Sequence, residues 1–88
     1  MANELTRAMP EIAIEYCHPC GFLNRAQDLQ GTLLETFGEQ LDEVALVVGD
    51  SGVFKVDVDD ELVFDKAEDD YDVDAIVADV REQLQAEA

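Results

Sequence analysis

The chain has 88 residues, of which 22 are Asp or Glu and five are Lys or Arg, giving a formal net charge of −17. That length suits one domain with one modest core, and a 48% apolar fraction spread along the whole chain excludes reading the acidity as disorder. A surface this negative repels phosphate backbones and anionic lipid, so neither nucleic acid nor membrane is an expected partner.

The acidic residues are distributed rather than gathered in a tail. Their mutual repulsion is largely screened in about 1 M salt, where the Debye length is about 3 Å. The composition therefore fits the cytoplasm of a halophilic host. No apolar run approaches the roughly 18 residues of a membrane-spanning helix. The first residues, Met1-Ala2-Asn3-Glu4-Leu5-Thr6-Arg7, lack the basic-then-apolar order of a secretion signal, and the expected compartment is cytoplasmic.

In chain order, residues 1–10 show no periodicity and end in Pro10, which reads as a loose leader before a single domain over 11–88. Ile12, Ile14 and Tyr16 alternate with Ala13 and Glu15, the pattern of a half-buried strand. The turn Cys17-His18-Pro19-Cys20 follows. Phe22, Leu23, Ala26, Leu29, Leu33, Leu34 and Phe37 then recur at three- and four-residue steps, with Asn24, Arg25, Gln27, Asp28 and Gln30 on the other side. This predicts an amphipathic helix of about five turns, with Gly38 as the left-handed residue that ends it.

Three more strands are expected. Val44, Leu46 and Val48 form the apolar face of the first, Phe54, Val56 and Val58 of the second, and Leu62 and Phe64 of the third. Gly49-Asp50-Ser51-Gly52 and Asp59-Asp60 between them are turn chemistry, the latter joining a hairpin. An acidic loop from Glu68 to Asp72 precedes a last helix with Val73, Ile76, Val77, Val80 and Leu84 on one stripe, for which Asp72 is a plausible cap. The order is β-α-β-β-β-α. A single apolar face on all four strands calls for both helices on that same side of the sheet.

The chemistry rests on Cys17 and Cys20, the only cysteines in the chain. Three residues apart, they close too small a loop to serve as a structural staple, which leaves reactivity or metal binding. Placed where the strand turns into the helix, a thiolate gains from unpaired N–H groups and the positive end of the helix dipole. An unperturbed thiol titrates near about 8.5, and in such turns the value falls to roughly 3.5–7.5. One sulfur forms a mixed disulfide with a partner and the other resolves it by closing the Cys17–Cys20 bond. Helical geometry alone nominates Cys17, as the more exposed sulfur, for the attack, with Cys20 resolving.

Other readings stand beside this one. A Cys-x-x-Cys pair is half of a tetrahedral zinc site, which here would need two chains; an inert buried pair is the plainest alternative. His18 and Arg25 read as surface residues, Arg25 with a local acidic neighbour, and Asp69-Asp70 as a solvated loop. Asp57, Asp59 and Asp60 lack the twelve-residue calcium loop with its central Gly and final Glu.

The blocks Glu15-Tyr16-Cys17-x-x-Cys20, Leu23, Arg25-Ala26, Leu29, Phe37-Gly38, Glu43-Val44-Ala45-Leu46, Gly52-Val53-Phe54-x-Val56 and Leu62-Val63-Phe64 resemble the Rdx family. This is the selenoprotein W, T and H group of thioredoxin-like proteins, and the resemblance spans about residues 11–84. It implies an α/β, two-layer thioredoxin-like βαβββα fold, with a four-stranded mixed sheet and two helices on one face. The implied sheet order, 2-1-3-4, brings the loop from Asp50 to Val53 beside the cysteines. Thioredoxins proper have a cis-proline at that point, and this chain has no proline after Pro19. Cys20 matches the position that holds selenocysteine in selenoprotein W, where selenium would be the better nucleophile. Against the geometric nomination of Cys17 this leaves the attacking residue open, with both cysteines kept as redox residues.

The expected function is thus a thiol–disulfide oxidoreductase or redox carrier with Cys17 and Cys20 as its redox residues and no cofactor. Its expected partners are protein or low-molecular-weight thiols and a recycling reductase, and the chain is expected to be a monomer or weak dimer. A redox-regulated interaction module without catalytic activity and a zinc-bridged dimer are the alternatives.

Overall fold

A computed structural model of the chain describes residues 9–87. The expected leader therefore lies mostly outside the described residues; of it, Met9 donates its N–H to the Asp42 carboxylate and Pro10 accepts one from Asp42 N–H.

Strand β1, Glu11–Tyr16, is central because it pairs with a strand along each of its edges, and its inward side chains Ile12, Ile14 and Tyr16 are buried. Strand β2, Glu43–Val48, pairs parallel to it, Ile12 opposite Val44, and β3, Phe54–Val58, pairs antiparallel, Ile14 opposite Val56. Strand β4, Glu61–Asp65, adds antiparallel to β3, so the four-stranded mixed sheet has the order β2-β1-β3-β4. Helix α1, Leu23–Phe37, crosses from β1 to β2, and α2, Val73–Glu87, packs on β3 and β4. Ala26, Leu29, Leu33 and Phe37 of α1 and Ile76, Val80 and Leu84 of α2 join the inward residues of the sheet in one core. Burying a side chain such as Ile14 or Leu29 contributes roughly 1.5–3 kcal/mol. Among the described helices none is long and apolar enough to cross a membrane.

The connections are set by local chemistry. Asp59 and Asp60, with φ of 49° and 70°, make the two-residue hairpin of β3 and β4, a turn whose backbone twist matches the strands it joins. Asp72 caps α2, its side chain accepting from Ala75 N–H at 3.3 Å and its carbonyl from Ile76 N–H at 2.9 Å. Gln30 does not stay on the solvent side of α1: its Nε2 donates to the Val44 carbonyl at 2.8 Å and ties the helix to β2.

Several expectations are corrected. Gly38 has φ −49° and ψ −39°, right-handed, and leads into a single 3-10 turn, Gly38–Gln40, instead of ending the helix in a left-handed conformation. Leu62 is 54% exposed although it alternates with the buried Phe64. The register explains this: Val56 faces Phe64, but Asp57 faces Leu62, so Val63 is an extra residue and the bulge turns Leu62 to the outer face. Val48, the last residue of the edge strand β2, is 65% exposed. Leu34, placed on the apolar stripe of α1, is exposed.

Candidate active site

The chain leaves β1 at Tyr16 and stays attached to the sheet for one more residue, since Cys17 N–H donates to the Val53 carbonyl at 2.8 Å. It then closes on itself. Gly21 N–H donates to the His18 carbonyl at 3.1 Å and Phe22 N–H to the Cys17 carbonyl at 3.4 Å, with Gly21 left-handed at φ 81°. Those paired bonds around a left-handed glycine are the pattern that closes helix ends; here they make a self-contained loop from Cys17 to Phe22. Pro19 suits it because the bonding uses no N–H at that position. Helix α1 starts only afterwards, with Phe22 as its N-cap residue and the bond from Ala26 N–H to the Phe22 carbonyl. The cysteines therefore precede the helix and are not in its first turn. This corrects the expected length as well: α1 has 15 residues, about four turns.

Cys17 and Cys20 form a disulfide, with Cα atoms 5.4 Å apart. The two sulfurs differ in access. Cys17 is 0% exposed, and Cys20 is exposed at the turn. The geometric nomination of Cys17 as the more exposed sulfur is thus overturned, because Cys17 still belongs to the sheet's hydrogen bonding while the loop carries Cys20 outward.

A third group joins them. Gly52 N–H donates to Cys20 Sγ at 3.3 Å. It does so from a turn in which Val53 N–H donates to the Asp50 carbonyl at 3.2 Å and Gly52 has φ 80°, the geometry that demands glycine at the third position. The sequence shows that turn, but not the sulfur it points at.

The family model described as the Rdx family matches residues 11–82. The chain belongs to the Rdx family. A solved structure from Bordetella parapertussis is similar at 37% identity and TM-score 0.81, covering 86% of this chain and 99% of that one. A selenoprotein W-related protein from Vibrio cholerae shares the fold at TM-score 0.81 and 24% identity, covering 86% of this chain and 98% of that one. No curated protein sequence matches the chain. Family, fold and the bonded Cys17–Cys20 pair together support a redox role for this Rdx chain.

Around this site the Rdx chain gathers aromatic rings. Phe54, fully buried, meets the rings of Phe22, Phe64 and Tyr71 edge-on at 6.1, 6.3 and 5.4 Å. Arg25 is not the surface residue its sequence context suggests. Its guanidinium lies 4.6 Å from the Tyr71 ring centre, 5.1 Å from Phe22 and 6.0 Å from Phe54, and its buried Nη1 has no hydrogen-bond partner. Ring faces attract such a cation. Lys66 Nζ lies 5.5 Å from the same Phe22 ring. Burial holds the Tyr71 hydroxyl above its usual 10.0, with Arg25 opposing that shift and Asp28 adding to it. His18 is exposed, as expected, edge-on to Tyr16 at 6.1 Å. Among the described residues no group of His, Cys, Asp and Glu is arranged to hold a metal, Asp57, Asp59 and Asp60 included.

Proposed function

We propose that the chain is a thiol–disulfide oxidoreductase or redox carrier in which Cys20 exchanges with the partner and Cys17 resolves. The observation that carries this reading is the split in access across a bonded pair, one sulfur at the surface and its partner beneath it.

In the reduced form the Cys20 thiolate attacks a sulfur of the partner disulfide. A bond forms between Cys20 and the partner, and the other partner sulfur leaves as a thiolate that takes up a proton. Cys17, having given up its proton, then attacks Cys20 Sγ, expels the second partner thiolate and closes the Cys17–Cys20 bond. Two electrons have passed from the dithiol to the partner disulfide. Regeneration is the reverse: a dithiol reductant, protein or small molecule, attacks Cys20 Sγ, displaces Cys17 as thiolate and leaves as its own disulfide. Exposure at Cys20 makes both encounters possible, and burial keeps Cys17 for the intramolecular step.

Mixed-disulfide trapping tests this. With the chain reduced in molar salt and treated with an aromatic disulfide, Cys17→Ser is expected to retain a stable adduct on Cys20, and Cys20→Ser to react far more slowly. An adduct that accumulates on Cys20→Ser instead, or equal rates for the two variants, would reverse the assignment.

A further inference from the structure

We propose that the backbone N–H of Gly52 activates Cys20 as a thiolate, the task for which a helix N-terminus was expected. The inference rests on the redox reading above and deepens it.

A disulfide sulfur is neutral and a weak acceptor, so the 3.3 Å bond from Gly52 is worth little while the pair is oxidised. On reduction the same N–H faces a negative sulfur, and a hydrogen bond to an ionised acceptor is roughly twice as strong as a neutral one. The donor therefore stabilises the reduced, ionised state more than the oxidised one. No other donor to either sulfur occurs among the described residues; the helix starts at Leu23, and the Arg25 guanidinium is enclosed by rings. An acidic chain of charge −17, with Asp50 in the same turn, otherwise disfavours a thiolate here.

The loop is built to keep this amide in place. Val53 is fastened on both sides, its N–H to Asp50 and its carbonyl to Cys17 N–H, so one segment grips the buried cysteine and points its amide at the exposed one. Gly52 is needed for its φ of 80°, while a Cβ there would meet nothing within 4 Å. A Cβ at position 52 therefore has room, and the strain a substitution brings there falls on the backbone that aims the amide.

The experiment follows alkylation of Cys20 by neutral iodoacetamide in the Cys17→Ser background, at a pH where only part of the thiol is ionised. Gly52→Val, whose branched side chain disfavours positive φ, is expected to slow alkylation about tenfold, the scale of one charge-assisted hydrogen bond. Gly52→Asn, which tolerates positive φ, should fall between, and it keeps the test informative if the valine variant does not fold. Ser51→Pro, which suits the second position of this turn and leaves the Gly52 N–H in place, should not slow the reaction. In the chain with both cysteines, Gly52→Asn and Gly52→Val should shift the equilibrium toward the disulfide, by about 30 mV for a tenfold change. Equal alkylation rates across the series, or slowing by Ser51→Pro as large as that by Gly52→Val, overturn the role of Gly52. If mixed disulfides are still trapped on Cys20 in that event, the redox reading survives its loss.

Discussion

At the scale of single residues, position relative to the sheet decides chemistry. Cys17 and Cys20 are the same residue type in one turn, yet one is sealed by its bond to Val53 and the other is carried to the surface. Tyr71 shows the same principle through its hydroxyl, which burial holds above its ordinary value while Arg25 works in the opposite direction. In the unfolded chain the phenol ionises near 10.0, before it does in the folded one. The unfolded state then binds fewer protons, so stability is intact below that pH and falls as pH rises toward the folded value. Alkaline denaturation of the wild type should therefore include a component that Tyr71→Phe lacks. Matching stability curves for the two proteins above pH 10 would show that the ring, not the hydroxyl, is what the site needs.

At the scale of elements, turns govern more than propensity does. The β3–β4 hairpin places two aspartates at positive φ, where a Cβ costs roughly 1–2 kcal/mol per residue and glycine costs little. Asp60→Gly should accordingly stabilise the chain by about 1 kcal/mol, read as a higher denaturation midpoint in urea with unchanged slope. A lower midpoint would mean that the aspartate side chain secures the turn. The loop from Cys17 to Phe22 acts in the same way on α1: by closing on Gly21 it delays the helix and separates the sulfurs from the helix end. Helix periodicity cannot reveal this, because Phe22 fits the apolar stripe whether or not the backbone around it is helical.

At the scale of the molecule, charge is the dominant feature. With −17 spread over the surface, dilute buffer raises the cost of placing a further negative charge on Cys20, and molar salt screens that long-range field while leaving the contact with Gly52 in place. Alkylation of Cys20 in Cys17→Ser by a neutral reagent should therefore speed up between low and molar salt, with folding checked at each point by circular dichroism. A rate that stays level or drops would show that the distributed charge does not reach the site.

The sequence alone determined the order of elements, the single apolar face of the sheet, the Asp72 cap, the hairpin at Asp59-Asp60 and the placing of Cys17 and Cys20 in one turn after the first strand. Each is written in spacing or in turn chemistry between residues close in the chain. Only the tertiary structure decided which sulfur is accessible, that the amide beside Cys20 belongs to Gly52, that Arg25 lies among Phe22, Phe54 and Tyr71, and that the bulge at Val63 turns Leu62 outward. Those outcomes depend on groups brought together from distant parts of the chain, and on a register shift of one residue. Periodicity within one segment holds no record of what the neighbouring strand or loop presents to it.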